Sequence, residues 1–196
     1  MYKKLALLGL LAVAGCKTTG GTDAPLANNQ KVYNIYEGAP EWVQQGSGAF
    51  SGDRGKGFYG VGAASKIMNP ALRRNTADAN ARAEIAKIMN TYVANLLKQY
   101  NESASNGDPN TAPQEVQMVT NTLKSFTQAQ LQGVQIVRHW ISNDGSTEFA
   151  LAQLDFSQFK DDMNQVKALN DRAREVIKAR ADAGFAELEK EEAKRQ

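Results

Sequence analysis

Apolar and polar positions are arranged in three different ways along the chain, and each arrangement predicts an element. From Asn69 to about Asn101 the apolar residues recur near a period of 3.6. Leu72, Ala79, Ala83, Ala86, Val93, Leu97 and Tyr100 fall near one stripe, which Ile85, Met89, Tyr92 and Leu96 widen into a face. Asn69-Pro70 supplies a capping residue and a proline suited to the first helical position. The alanines of the first half leave room for a sheet to come close. Gln114 to Gln128 predicts a shorter helix, with Val116, Val119, Leu123 and Phe126 inward. Short apolar runs predict strands at Phe58–Ser65, Gly133–Ile141 and Thr147–Asp155, with close backbone approach at Gly60 and Gly62. The last two strands flank Asn143-Asp144-Gly145-Ser146, where Asp-Gly tolerates positive φ, so they predict a hairpin. The Gly-rich stretch 46–57 and the polar stretch 104–113 read as loops.

Asp155 or Ser157 is placed to cap a last helix reaching Lys194. Phe159, Met163, Val166, Ala173, Ile177, Ala181, Phe185 and Leu188 lie near one stripe of it. From Ser157 such a helix would be on the order of 57 Å long, at about 1.5 Å per residue. A core of about 100 residues is only roughly 35 Å across. Phe185 and Leu188, in the distal third, are therefore candidate contacts with a partner, either a second copy or another envelope protein; a solvated, frayed helix end is the alternative. Gly184 weakens that third, costing about 1 kcal/mol in a helix interior. The order strand, helix, helix, hairpin, helix predicts an α+β fold: a small, largely antiparallel sheet packed by helices, with a long C-terminal helix.

The third arrangement is an unbroken apolar run. Lys3 and Lys4 precede Leu5 to Ala14, about ten uncharged residues, which suits a signal-peptide core of roughly 7–15. A membrane span needs about 20. Val13-Ala14-Gly15-Cys16 follows and resembles the lipobox of bacterial lipoproteins, in which small residues admit the peptidase and the cysteine thiol accepts lipid. The chain thus divides into a signal peptide (1–15), a lipidated Cys16 with a polar, Gly- and Pro-containing tether (16–31), an α+β domain (32–165) and a C-terminal helical extension (166–196). The expected partner is a lipid bilayer, entered through acylated Cys16. One acyl chain binds only marginally, and lipoproteins carry two or three. By the sorting rule of enteric-type bacteria, Lys17 rather than Asp after the cysteine points to the outer membrane.

Cys16 is the only cysteine, so export brings no disulfide framework. Lys3 and Lys4 are the only charged side chains in residues 1–15. Their removal takes the formal charge from +2 to 0, and with it the electrostatic basis for binding nucleic acid. Gly55-Lys56-Gly57-Phe58-Tyr59-Gly60 matches G-x-G-x-x-G, but a loop precedes it and a strand follows, the reverse of a dinucleotide site. His139 is the single histidine and cannot assemble a histidine metal site. Asp53 and the Asp161-Asp162 pair have no evident catalytic partners. No catalytic residue, cofactor site or metal site is expected. Tyr33, Tyr36 and Trp42 sit in an aromatic-rich segment, Val32 to Val43, that reads as docked on the domain; a ligand platform is the alternative.

Several motifs recur together in order: the lipobox, Pro40-Glu41-Trp42-Val43, Gly60-Val61-Gly62-Ala63-Ala64-Ser65, the helix from Ala77 to Ala86, and Trp140 through Asp155 around Asp144-Gly145. Over roughly residues 40 to 165 they resemble the twenty-kilodalton outer-membrane lipoprotein family of the Helicobacter antigen type, which includes flagellum-associated lipoproteins. The resemblance implies a small domain of helices and strands, no known catalytic residues, and structural or cell-envelope roles. The Gly-rich insert at 46–57 and the long C-terminal helix exceed the family pattern. A module that regulates a cell-wall enzyme or holds a periplasmic ligand is the alternative. A pocket lined by Tyr33, Tyr36 or Trp42 would favour it. An envelope hydrolase is a third reading.

Overall fold

The structure, a computed structural model, describes residues 34–52, 55–107 and 113–194. The signal peptide, Cys16, Lys17 and the tether lie outside the described residues, as do Val32, Tyr33 and Asp53.

The predicted hairpin forms as β3 (Gln135–Ile141) and β4 (Thr147–Asp155). Gly145 takes a φ of +70° at its tip. Asp144 closes the turn by accepting from the Ser142 hydroxyl (2.5 Å) and the Ser146 amide (3.1 Å). These bonds, Ser142's foremost, hold its carboxyl below the usual range. β2 (Gly55–Ser65) lies on the other side of β4, so β4 is central and buried nearly throughout. The Gly-rich stretch is not wholly loop: β1 (Gly48–Gly52) pairs with the start of β2, making an antiparallel sheet of order β1-β2-β4-β3.

One face of this sheet receives α2 (Pro70–Gly107). Asn69 caps it, its side chain accepting from the Leu72 amide at 3.0 Å. Gly60 and Gly62 face the helix with almost no space. An added Cβ would lie 2.2 Å from the Ala81 carbonyl oxygen at the first and 2.1 Å from the Ala81 nitrogen at the second. The buried stripe of α2 is Ala77, Ala81, Ile85, Met89, Tyr92, Leu96 and Tyr100. Leu72, Ala79 and Ala83, predicted inward, are exposed. Alanines occupy both sides of this half of the helix, so apolar periodicity alone did not separate the sides. α3 (Pro113–Gln132) packs back on α2 through Val119 and Leu123, as predicted.

A long C-terminal helix is present, as expected, but the helical stretch that carries it is not continuous from Ser157. The stretch breaks into α4 (Phe156–Asn164), capped by Asp155, and α5 (Asp171–Ala193), capped by Asn170. Asn170 accepts from the Ala173 amide at 2.7 Å, and buried Leu169 fills the bend. The break lets α5 fold back along α2 and β1. Phe185 is wholly buried, its ring 4.4 Å from Phe156 and 5.5 Å from Phe58, and Leu188 packs at the edge of the same core. Phe185 is thus a core residue and not a partner contact. Val166, Leu169, Ala173, Ile177 and Ala181, in the predicted extension, pack on this core as well.

The opposite face of the sheet carries a smaller apolar cluster. Trp42 and Val43, on the short helix α1 (Glu41–Gln45), cover Phe149 and Leu151, with Ile35, Val61, Val137 and Trp140 around them. The segment beginning at Asn34 is a strap across this face. Asn143 donates to the Glu37 carbonyl at 2.8 Å and ties the strap to the hairpin tip.

Candidate functional site

The chemistry-bearing residues on the helix-facing side of the sheet are used to join elements. His139, on edge strand β3, faces Asp78 on α2, with Nε2 2.6 Å from Oδ1. No serine, threonine or cysteine hydrogen-bonds the ring among the described residues, so the pair is not part of a side-chain nucleophile–histidine–acid triad. It clamps β3 to the helix. Next to it on the sheet, Glu148 is buried and its Oε1 accepts from Arg74 Nε at 3.1 Å, while Arg73 Nε lies 3.6 Å from Oε2. Such partners offset the cost of burying a carboxyl group. Arg73 also donates to the Gly145 carbonyl at 2.8 Å, tying α2 to the hairpin tip.

On the other face a cleft of about 240 Å³ opens beside Trp42. Leu151, Val137 and Tyr59 line it, with Phe50 and Arg138 beside them. A bulge in β3 between Ile136 and Arg138 turns both Val137 and Arg138 toward this cleft. Its volume falls below the roughly 300–1,000 Å³ of an ordinary ligand site. Trp42 is 8 % exposed and mainly packs, as the sequence predicted, and Tyr36 rests on Phe149 with ring centres 5.9 Å apart. Sequence reasoning had no signal for Arg138 or Phe50, because the bulge and β1 that bring them here are both set by pairing.

A larger groove of about 1070 Å³ runs between α2 and α3, floored by Val93, Leu97 and Leu131 and rimmed by Lys98 and Lys124. Sequence reading singled out none of these for function. Among the described residues no cluster of three histidine, cysteine or acidic side chains could hold a metal, and no helix is long and apolar enough to cross a membrane.

The acylation candidate, Cys16, precedes all described residues. The described domain is one compact unit whose strap begins 18 residues after it (34 minus 16). A comparison with curated proteins finds no match. A family model described as LPP20 lipoprotein matches residues 40–155, more than half of the chain, from the proline before α1 to the last residue of β4. With α1, the glycine-bearing strand and the hairpin of the matched region in place, the chain belongs to the LPP20 lipoprotein family.

Proposed function

We propose that this lipoprotein is held at the outer membrane by lipid on Cys16 and serves there as a non-enzymatic structural or scaffolding module of the cell envelope. The observation that carries the reading is Val13-Ala14-Gly15-Cys16, set after a basic pair and a ten-residue apolar run that is too short to span. Lys17 supports the outer rather than the inner membrane. The polar pairs of the domain support a structural role, since His139–Asp78 and Arg74–Glu148 both join helix to sheet. Cys16→Ser tests the anchor: incorporation of labelled palmitate is expected to vanish and the unprocessed precursor to accumulate. Undiminished label overturns it. Membrane fractionation tests the location. Deletion scored for envelope integrity and for motility separates a general envelope role from a flagellar one.

The Trp42 cleft favours a second reading, a module that holds a small periplasmic ligand or regulates a cell-wall enzyme. Tyr59, Phe50 and Trp42 offer aromatic faces, and Arg138 offers a cation. Arg138→Ala, which leaves the packing of Trp42 in place, should abolish any ligand-induced change in tryptophan fluorescence.

A further inference from the structure

Among the described residues, five large apolar side chains are exposed, and four of them gather at one end of the domain. They are Tyr36 (50 % exposed), Met68 (93 %), Leu72 (56 %) and Ile141 (45 %). Hydrogen bonds between their segments place them there. Lys66, in the connection that carries Met68, donates its amide to the Ser146 carbonyl at 3.3 Å. Arg73, beside Leu72 in the first turn of α2, reaches the Gly145 carbonyl. Ile141 ends β3 opposite Glu148, one residue into β4. Tyr36 precedes Glu37, whose carbonyl accepts from Asn143. All four therefore surround the hairpin tip. The fifth, Met118, is on α3 near Glu115, which acts electrostatically on Tyr100 of α2. Tyr100 is 28 residues along α2 from Leu72 (100 minus 72), or about 42 Å.

Apolar side chains exposed singly are ordinary, whereas a group collected at one pole is the kind of feature that marks a contact surface. The chain itself indicates the partner. The described strap starts at this pole: the Glu37 amide bonds the Asn34 carbonyl and the Tyr36 amide bonds the Asn34 side chain, so Asn34 sits beside the tip. Cys16 is 18 residues upstream, and a coil of that length spans on the order of 20 Å. We propose that the hairpin-tip pole rests on the bilayer that receives the Cys16 lipids, with Met68, Leu72 and Ile141 entering the acyl boundary and Tyr36 at headgroup depth. This rests on the acylation of Cys16 proposed above.

The chemistry of the pole suits that surface. Lys66, Arg73 and Arg74 are balanced by Glu37, Asp144 and Glu148, so the pole has no net attraction for anionic headgroups. Apolar insertion is left as the driving force, and lysine beside methionine can snorkel its ammonium into the headgroups. Two anchoring signals together also hold a chain far more firmly than either alone.

The test uses the full acylated chain in vesicles of phosphatidylethanolamine and phosphatidylglycerol. Cysteine is introduced singly as Met68→Cys, Leu72→Cys or Met118→Cys and carries a nitroxide; acylated Cys16 has no free thiol to compete. Labels at 68 and 72 should be several-fold less accessible to a water-soluble nickel chelate than the label at 118, and more accessible to oxygen. Raising the salt should change neither. A chain that floats with the vesicles but shows equal nickel accessibility at 68 and 118 overturns the docked pole while leaving the anchor intact. A chain that does not float overturns the acylation reading, and the docked pole with it. Dipolar broadening between labels at 68 identifies a second copy as the occupant and overturns the assignment to the bilayer.

Discussion

At the scale of single residues, two features decide how closely the layers approach. Gly60 and Gly62 let β2 lie directly on the α2 backbone at Ala77 and Ala81. Gly62→Ala puts a methyl group within 2.1 Å of the Ala81 nitrogen and 2.3 Å of the Ala77 carbonyl oxygen. Backbone cannot swing aside like a side chain, so the whole helix must lift. Overpacking of this kind costs about 1–3 kcal/mol, and a fall of that size in chemical denaturation is the expected result. The second feature is Tyr92, fully buried, whose hydroxyl donates to the Ala181 carbonyl at 2.9 Å. Burial raises its phenol well above the ordinary value, and Asp182 adds to the effect. The folded protein therefore keeps a proton that the unfolded chain releases above about pH 10. The native state then binds more protons, so stability should fall as pH rises through and beyond that value. Tyr92→Phe should make the alkaline decline shallower in denaturation curves taken across that range. Tyr100, raised by burial and by Glu115, supplies a residual slope.

At the scale of elements, the break between α4 and α5 changes what the C-terminal residues do. Phe185 closes a ring cluster with Phe58, Phe156 and Tyr92, and Gly184 admits the Tyr92 ring, 3.3 Å from where a Cβ would sit. Phe185→Ala should cost about 3–5 kcal/mol. Truncation at Lys178 should yield an unfolded chain and not a smaller soluble domain, as read from loss of cooperative thermal melting. The hairpin, the capped start of α2 and the glycine approach were legible because turn chemistry, capping and small-residue spacing are local. The α4–α5 break was not, because the apolar stripe continues through Val166 while the stop is made by Leu169 turning inward and Asn170 capping anew. Asn170-Asp171 was the available signal, a cap followed by an acid in the first turn. β1 was equally hidden: Gly48–Gly52 has only Ala49 and Phe50 as apolar residues, and its strand state comes from pairing with β2. The aromatic strap was legible from its density of rings. The cleft beside it was not, since the Val137–Arg138 bulge has no local signature.

At the scale of the whole molecule, the sheet separates two apolar clusters of unequal size, and each has its own closure. Helices seal the larger, and the strap with Trp42 seals the smaller. Trp42→Ala removes the largest side chain of the strap seal. A buried aromatic truncation costs about 3–5 kcal/mol, and the melting temperature should drop markedly. An unchanged melting temperature would mean that the back of the sheet needs no cover, and Trp42 would then be free to serve the cleft.

The placement of Phe185 also sets an order of events in time. A chain that crosses a membrane with its N-terminus leading, as the signal reading implies, delivers Phe58 and Tyr92 long before the ring that completes their cluster. The family match ends at Asp155, yet Phe156, Phe159 and Phe185 all lie beyond it and all enter the same core. Contacts between residues so far apart in sequence form slowly and only once both ends are present. A partly delivered chain would therefore lack three rings of its main core. On the proposed export route it would close behind itself when the last helix arrives, and a chain stalled short of that helix would be left open to proteases.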